Sequence, residues 1–124
     1  MKALIIEIAK RHGVDPKLAL AIGFQESGWN QRAVSPANAV GVMQLIPAGG
    51  EWSSELVGRR LDLLDARDNI TAGVVMLRAL GQATSSTEMA VGAYYQGLYS
   101  VLTKGLYGET QRYVANVLAL RTRM

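Results

Sequence analysis

The sequence predicts an all-α fold of about six or seven helices. Apolar residues recur at helical spacing, and no run alternates between apolar and polar residues as a half-buried strand would. The chain has 124 residues, of which 49% are hydrophobic and 19% charged, which suits one domain with a sizeable core. Residues 16–27 are apolar almost all round. We therefore expect this helix to be buried at the centre, with the other helices packed around it.

The first two helices have recognisable ends. Residues 2–12 predict a helix that Gly13 ends in the left-handed conformation. Asp15 followed by Pro16 predicts the start of the central helix, with Asp as N-cap and Pro at the first helical position. Gly28 is expected to stop it.

The later helices are predicted from caps and apolar spacing. A short helix is expected over residues 51–57, and Asp65 is expected to cap a helix that Gly81 closes. One of Ser85, Ser86 and Thr87 caps a helix that ends at Gln96 or Gly97. Residues 98–108 are expected to be irregular or a short helix, and Thr110 is expected to cap the last helix.

The central helix carries a glutamate at its end. Leu18, Ile22 and Glu26 are spaced i, i+4 and i+8, so they share one side of the helix. Ionisation of a carboxyl at the end of an apolar stripe is costly, which raises its pKa and suits a general acid. The alternative is a surface glutamate at a frayed helix end.

The segment after this helix is rich in turns and contains no carboxylate. Residues 28–50 include glycine, proline, serine and asparagine but no Asp or Glu. Gln44 lies within an apolar patch and must be hydrogen-bonded if it is buried. It is interpreted as a substrate contact or as a structural clamp, and Met43 as core packing.

Composition excludes several kinds of site. There is no cysteine and one histidine, His12, so we expect no disulfide and no metal site. The net charge of +3 mildly favours an anionic partner, but aromatics do not alternate with Lys and Arg, so we expect no nucleic-acid binding. No apolar segment is long enough for membrane insertion. The absence of a signal peptide fits either an intracellular protein or a domain cut from a longer exported chain.

Several short motifs, in order, resemble the signature of soluble-type lytic transglycosylases, which are lysozyme-like domains that cut peptidoglycan. The motifs are Gln25-Glu26-Ser27-Gly28-Trp29-Asn30, Ala33-Val34-Ser35-Pro36-Ala37, Gly41-Val42-Met43-Gln44-Leu45-Ile46-Pro47, Asp68-Asn69-Ile70-Thr71-Ala72-Gly73, Ala93-Tyr94 with Gly97, and Glu109-Thr110-Gln111-Arg112-Tyr113-Val114. The resemblance implies the lysozyme-like superfamily with little or no sheet, a substrate cleft, and residues 1–124 as one such domain.

The resemblance also implies roles for individual residues. Glu26 matches the family's single catalytic acid, and Tyr94 matches the tyrosine beside it. The expected substrate contacts are Ser35, Met43, Gln44, Tyr94, Gln96 and Glu109. One departure is Tyr95-Gln96, where the family commonly has Asn after the first tyrosine. Either Gln96 supplies the amide or Tyr95 occludes part of the cleft. Trp29 is interpreted either as core or as a sugar-stacking surface. The other aromatics expected to be packing residues are Trp52, Tyr99, Tyr107 and Tyr113.

The lone acid favours one reaction. Glycoside hydrolysis normally takes two carboxyls, whereas a lytic transglycosylase needs no activated water, because the muramoyl C6 hydroxyl attacks its own anomeric carbon. We therefore expect a transglycosylase that acts on peptidoglycan. We also expect it to be monomeric and to need no cofactor. The expected location is the extracellular space or cell wall, with the periplasm or a phage virion as alternatives. Hydrolysis by a muramidase and glycan binding without catalysis are the alternative functions.

Overall fold

A computed structural model describes residues 1–124 and consists of seven α-helices. They are α1 Lys2–Arg11, α2 Pro16–Ser27, α3 Pro47–Val57, α4 Ala66–Ala83, α5 Thr87–Gln96, α6 Leu98–Lys104 and α7 Gly108–Arg121. Isolated β-bridges pair Val40 with Val34 and with Leu45, and no sheet forms. The all-α prediction is confirmed. No helix combines the length and the apolar character that crossing a bilayer requires.

Helix α2 lies in the core, as predicted. Its residues from Leu18 to Gly23 are all buried, and it packs against both α1 and α7. The side chain of Asp15 accepts a hydrogen bond from the Lys17 N–H. Gly28 ends the helix with φ of 64°, a left-handed conformation that glycine adopts without strain. Glu26 therefore sits in the last turn of a firmly held helix.

Three predicted helix ends are wrong. Helix α3 begins at Pro47 rather than at residue 51, because proline's fixed φ suits a first helical position. Helix α4 runs past Gly81 to Ala83, since an exposed glycine weakens a helix without ending it. Thr110 lies inside α7 and is buried; its hydroxyl donates to Gln96 Oε1 at 2.6 Å instead of capping the helix.

The segment between α2 and α3 is held against α4 by one buried side chain. Asn69 Oδ1 accepts from the Met43 N–H at 2.9 Å, while Nδ2 donates to the carbonyls of Val40 and Leu63 at 2.9 and 3.0 Å. Gly73 allows a close approach, because a Cβ there would lie 2.6 Å from Met43 Cβ. The segment thus forms a fixed wall beside the end of α2.

Candidate active site

A cleft of about 820 Å³ opens beside Glu26. One wall comes from the segment between α2 and α3 and from α3 itself, including Gln44 and Trp52; the other comes from α5 and the start of α6, including Tyr94 and Tyr99. Glu26 is the only Asp or Glu that lines this cleft. The arrangement therefore offers one carboxyl to a bound ligand, as the sequence predicted.

The Glu26 carboxyl is partly buried and has one protein hydrogen bond. Tyr113 donates its phenolic hydrogen to Glu26 Oε2 at 2.6 Å. Burial raises the pKa of Glu26, and the bond from Tyr113 acts in the opposite direction by stabilising the carboxylate. Because these two effects on its pKa oppose each other, the carboxyl can hold a proton before reaction and remain hydrogen-bonded after losing it.

Two further tyrosines stand near the carboxyl. The Tyr94 hydroxyl donates to the Met43 carbonyl at 2.7 Å rather than to Glu26. Burial and the negative charge of Glu26 raise the pKa of Tyr94, so it remains a donor. Tyr95 stacks on Tyr113, with centroids 4.6 Å apart and rings inclined by 25°.

Tyr113 is the residue that the sequence did not reveal. We expected it to be a packing residue on the buried face of α7, and it does pack there, with 7% exposure. Its hydroxyl, however, is the partner of a carboxyl 87 positions away. The sequence signals were its place in the buried register of α7 and its place in the motif over residues 109–114; neither of them identifies Glu26 as its partner.

The three substrate contacts expected in the segment after α2 have different surroundings in the structure. Ser35 Oγ accepts from the N–H groups of Ala37 and Ala39, so it closes a local turn and does not line the cleft. The Met43 side chain is fully buried. Gln44 lines the cleft, and its Nε2 donates to the carbonyls of Ala33 and Gly41, both at 3.0 Å. Both interpretations of Gln44, as a clamp and as a ligand contact, are compatible with this geometry.

Gln96 joins three helices. Its Nε2 donates to Ser100 Oγ at 2.8 Å and to the Gly105 carbonyl at 2.9 Å, while its Oε1 accepts from the Tyr107 N–H and the Thr110 hydroxyl at 3.0 and 2.6 Å. Both amide hydrogens and both lone pairs are thereby used. In this structure Gln96 holds α6 between α5 and α7 and has no free amide hydrogen for a sugar.

Glu109 and Tyr95 form a pair at the start of α7. The Tyr95 hydroxyl donates to Glu109 Oε2 at 3.2 Å, and both side chains are exposed. Glu109 itself does not line the cleft, whereas Tyr95 does. The departure from the family pattern therefore places an aromatic ring between Glu109 and Tyr113.

The large aromatics pack in the core, line the cleft, or do both. Trp29 lies outside the cleft; its Nε1 donates to the Leu20 carbonyl at 3.0 Å and its ring meets Phe24 edge to face. Trp52 packs against buried apolar residues, as expected, and also lines the cleft. Tyr99 lines the cleft and is 81% exposed, so the prediction that it packs in the core is wrong. The chain brings together no group of three His, Cys, Asp or Glu side chains suited to a metal ion.

Two curated relatives have similar sequences. Membrane-bound lytic murein transglycosylase C from Mannheimia succiniciproducens is 33% identical over 130 residues, covering 94% of this chain and 36% of the relative. Membrane-bound lytic murein transglycosylase F from Thiobacillus denitrificans is 39% identical over 92 residues, covering 68% of this chain and 18% of the relative. This chain thus spans about a third or less of their length.

Two solved structures have a similar fold. An inactive glutamate-to-glutamine mutant of the lytic transglycosylase Slt from Pseudomonas aeruginosa has a TM-score of 0.85 and 27% identity, over 96% of this chain and 23% of that one. The 70-kDa soluble lytic transglycosylase from Escherichia coli has a TM-score of 0.81 and 28% identity, over 93% of this chain and 23% of that one.

The family comparison covers most of the chain. The model described as the transglycosylase SLT domain matches residues 3–114, a range that includes α1 except its first residue, α2 to α6, the start of α7, and every residue discussed in the cleft. The chain therefore belongs to the transglycosylase SLT domain family.

Proposed function

We propose that the chain is a peptidoglycan lytic transglycosylase. It cleaves the β-1,4 bond between N-acetylmuramic acid and N-acetylglucosamine and leaves a 1,6-anhydromuramoyl end. The observation that carries the proposal is the single carboxyl of the cleft, Glu26, with a raised pKa and a tyrosine donor. The absence of a second carboxylate from the cleft lining disfavours a mechanism that needs a separate base to activate water.

In the first step Glu26 acts as general acid. Its proton passes to the glycosidic oxygen as the bond to the anomeric carbon breaks, and the N-acetylglucosamine leaving group departs with a hydroxyl. Burial favours the neutral carboxyl before this step, since it raises the pKa of Glu26. The hydrogen bond from Tyr113 then stabilises the carboxylate that remains.

In the second step the same carboxylate acts as general base. It takes the proton of the muramoyl C6 hydroxyl while that oxygen bonds to the anomeric carbon, which closes the anhydro ring and restores the neutral acid. The nucleophile belongs to the substrate, so one protein carboxyl serves both steps. Tyr113 fixes the position of that carboxyl throughout, and Tyr94 ties the wall at Met43 to α5.

The relatives support the same reaction class. Two are named lytic murein transglycosylases, and the Pseudomonas enzyme is described as inactive after one glutamate-to-glutamine change. From the motif resemblance we propose that Gln44 contacts the glycan strand in the cleft and that Glu109 contacts it beside Tyr95. Ser35 and Met43 shape the wall that bears Gln44. We further propose that residues 1–124 act as one monomeric domain on peptidoglycan, outside the cytoplasmic membrane.

Product analysis of purified sacculi tests the proposal. The parent chain should release muropeptides with anhydro ends, identified by mass spectrometry, and Glu26→Gln should release none. Glu51→Gln is the matched control, because Glu51 is an exposed carboxylate of α3 outside the cleft. Reducing muramic ends would show hydrolysis instead. Binding to sacculi without turnover by the parent would show a glycan-binding domain.

A further inference from the structure

The cleft carries an exposed aromatic side chain that the proposed mechanism does not use. Tyr99 is 81% exposed, more than any other large hydrophobic side chain of the chain, and it lines the same cleft as Glu26. Its hydroxyl has no hydrogen-bond partner in the protein, although its carbonyl accepts from Thr103 within α6. Packing of the core therefore does not account for an aromatic residue at this position.

The backbone that carries Tyr99 is nevertheless firmly held. The next residue, Ser100, is bonded through its hydroxyl to both Gln96 and Tyr107. Val101, two positions along, is 1% exposed and packs with the buried residues Leu80, Ala90 and Ala93. The ring of Tyr99 is thus presented from a fixed helix, which lowers the entropy lost when a ligand binds against it.

The lining of the cleft is mostly apolar, and Glu26 is its only charged residue. Ile46 is 48% exposed, and Leu98 and Trp52 also contribute to the lining. An exposed apolar surface that continues from a polar site indicates ligand contact. A hexosamine ring has an apolar C–H face and a polar edge, which match the flat face and free hydroxyl of a tyrosine.

We propose that Tyr99 is a stacking surface for the apolar face of one N-acetylhexosamine ring of the glycan strand. The inference rests on the proposed function, because it takes the cleft beside Glu26 as the strand's binding site. Gln96 then has an indirect role in binding: its amide holds α6 in place, and α6 carries the ring that contacts the sugar.

The test measures binding in the Glu26→Gln background, in which a bound strand is not cleaved. The probe is chitohexaose, an uncharged β-1,4-linked N-acetylglucosamine oligomer, titrated by calorimetry. Tyr99→Ala should weaken binding about 3- to 10-fold, while Tyr99→Phe and Tyr99→Trp should stay within about twofold because the flat ring is kept. Leu102→Ala is the matched control: Leu102 is 58% exposed on the same helix but outside the cleft.

Several outcomes would overturn the inference. If Tyr99→Ala binds chitohexaose as tightly as the Leu102→Ala control does, the ring does not contact the sugar. If Tyr99→Phe loses as much affinity as Tyr99→Ala, the hydroxyl rather than the ring makes the contact. Loss of binding accompanied by a lower melting temperature in Tyr99→Ala, but not in Leu102→Ala, assigns a structural role. A change in elution volume on removing Tyr99 assigns the ring to self-association, and no measurable binding by the parent also overturns the inference.

Failure of the two proposals is distinguishable. If the chain with Glu26 intact yields no anhydro products but chitohexaose binding depends on Tyr99, the proposed reaction fails and the stacking surface stands. If anhydro products form and binding is independent of Tyr99, the stacking surface alone fails.

Discussion

Replacing Tyr113 by phenylalanine removes one hydroxyl from the most important contact of the site. The ring keeps its volume and its stack on Tyr95, so the core of α7 is preserved. What is lost is the 2.6 Å hydrogen bond to Glu26 Oε2. This bond favours the ionised carboxyl, so its loss raises the pKa of Glu26 beyond the effect of burial.

The size of the effect follows from the bond and its surroundings. A hydrogen bond to a charged group contributes about 1.5–3 kcal/mol, and the lower end applies here because the carboxyl is only partly buried. At about 1.4 kcal/mol per pH unit, the alkaline limb of the kcat/KM profile should move upward by about one unit. The maximal kcat should also fall, about tenfold, because the carboxylate formed in the first step loses its donor.

The assay is the pH profile of muropeptide release for the parent and for Tyr113→Phe. Tyr107→Phe is the control, since it removes a phenolic hydroxyl that is bonded to Ser100 outside the cleft; its profile should match the parent. An alkaline limb that stays in place or moves to lower pH in Tyr113→Phe would refute the assigned role of this bond.

Further variants test the acid, the wall and the α6 anchor. The pKa of Glu26 is raised by burial, so the stability that the neutral carboxyl contributes is present below the unfolded-state value and is lost as pH rises through the folded-state value. Glu26→Gln should therefore melt at a higher temperature than the parent at neutral pH, and the gain should vanish below pH 4; a lower melting temperature at neutral pH contradicts this. Asn69→Ala removes three hydrogen bonds at a fully buried site and should lower the free energy of urea unfolding by about 3–5 kcal/mol, so a loss below about 1 kcal/mol would disprove the clamp. Gly73→Ala should cost about 1–3 kcal/mol through overlap with Met43, although alanine is the better helix former; a more stable variant would show that the wall can shift. Gln96→Ala should speed amide hydrogen exchange in α6 and weaken chitohexaose binding, whereas unchanged exchange would mean that α6 is held by its apolar contacts alone.

Local features of the fold were predictable because their causes are local. Asp15 and Gly28 act on backbone groups within a few residues, and the structure shows both ends of α2 where the sequence predicts them. Thr110 was assigned wrongly for a related reason. A threonine before an amphipathic run suits an N-cap, but its actual partner is Gln96, 14 residues earlier on another helix.

The site was predictable only in part. Glu26 could be identified because its apolar helix and the carboxylate-free segment are both visible in the sequence. Tyr113 and Tyr94 have partners 87 and 51 positions away. The hydrophobic periodicity of a sequence does not predict which helices contact one another. Gln96 was assigned to the ligand because a polar residue next to a functional tyrosine has the same sequence appearance whether it bonds a sugar or the two neighbouring helices.

The contact between α2 and α7 also sets an order of assembly. The acid belongs to the second helix and its donor to the seventh, so a ribosome completes almost the whole domain before Tyr113 can reach Glu26. A nascent chain that stops before α7 has a carboxyl without its partner and leaves one face of α2 uncovered. The proposed acid therefore obtains its donor only when synthesis of the domain is nearly finished, and a chain that is cut before α7 lacks the Tyr113 hydroxyl altogether.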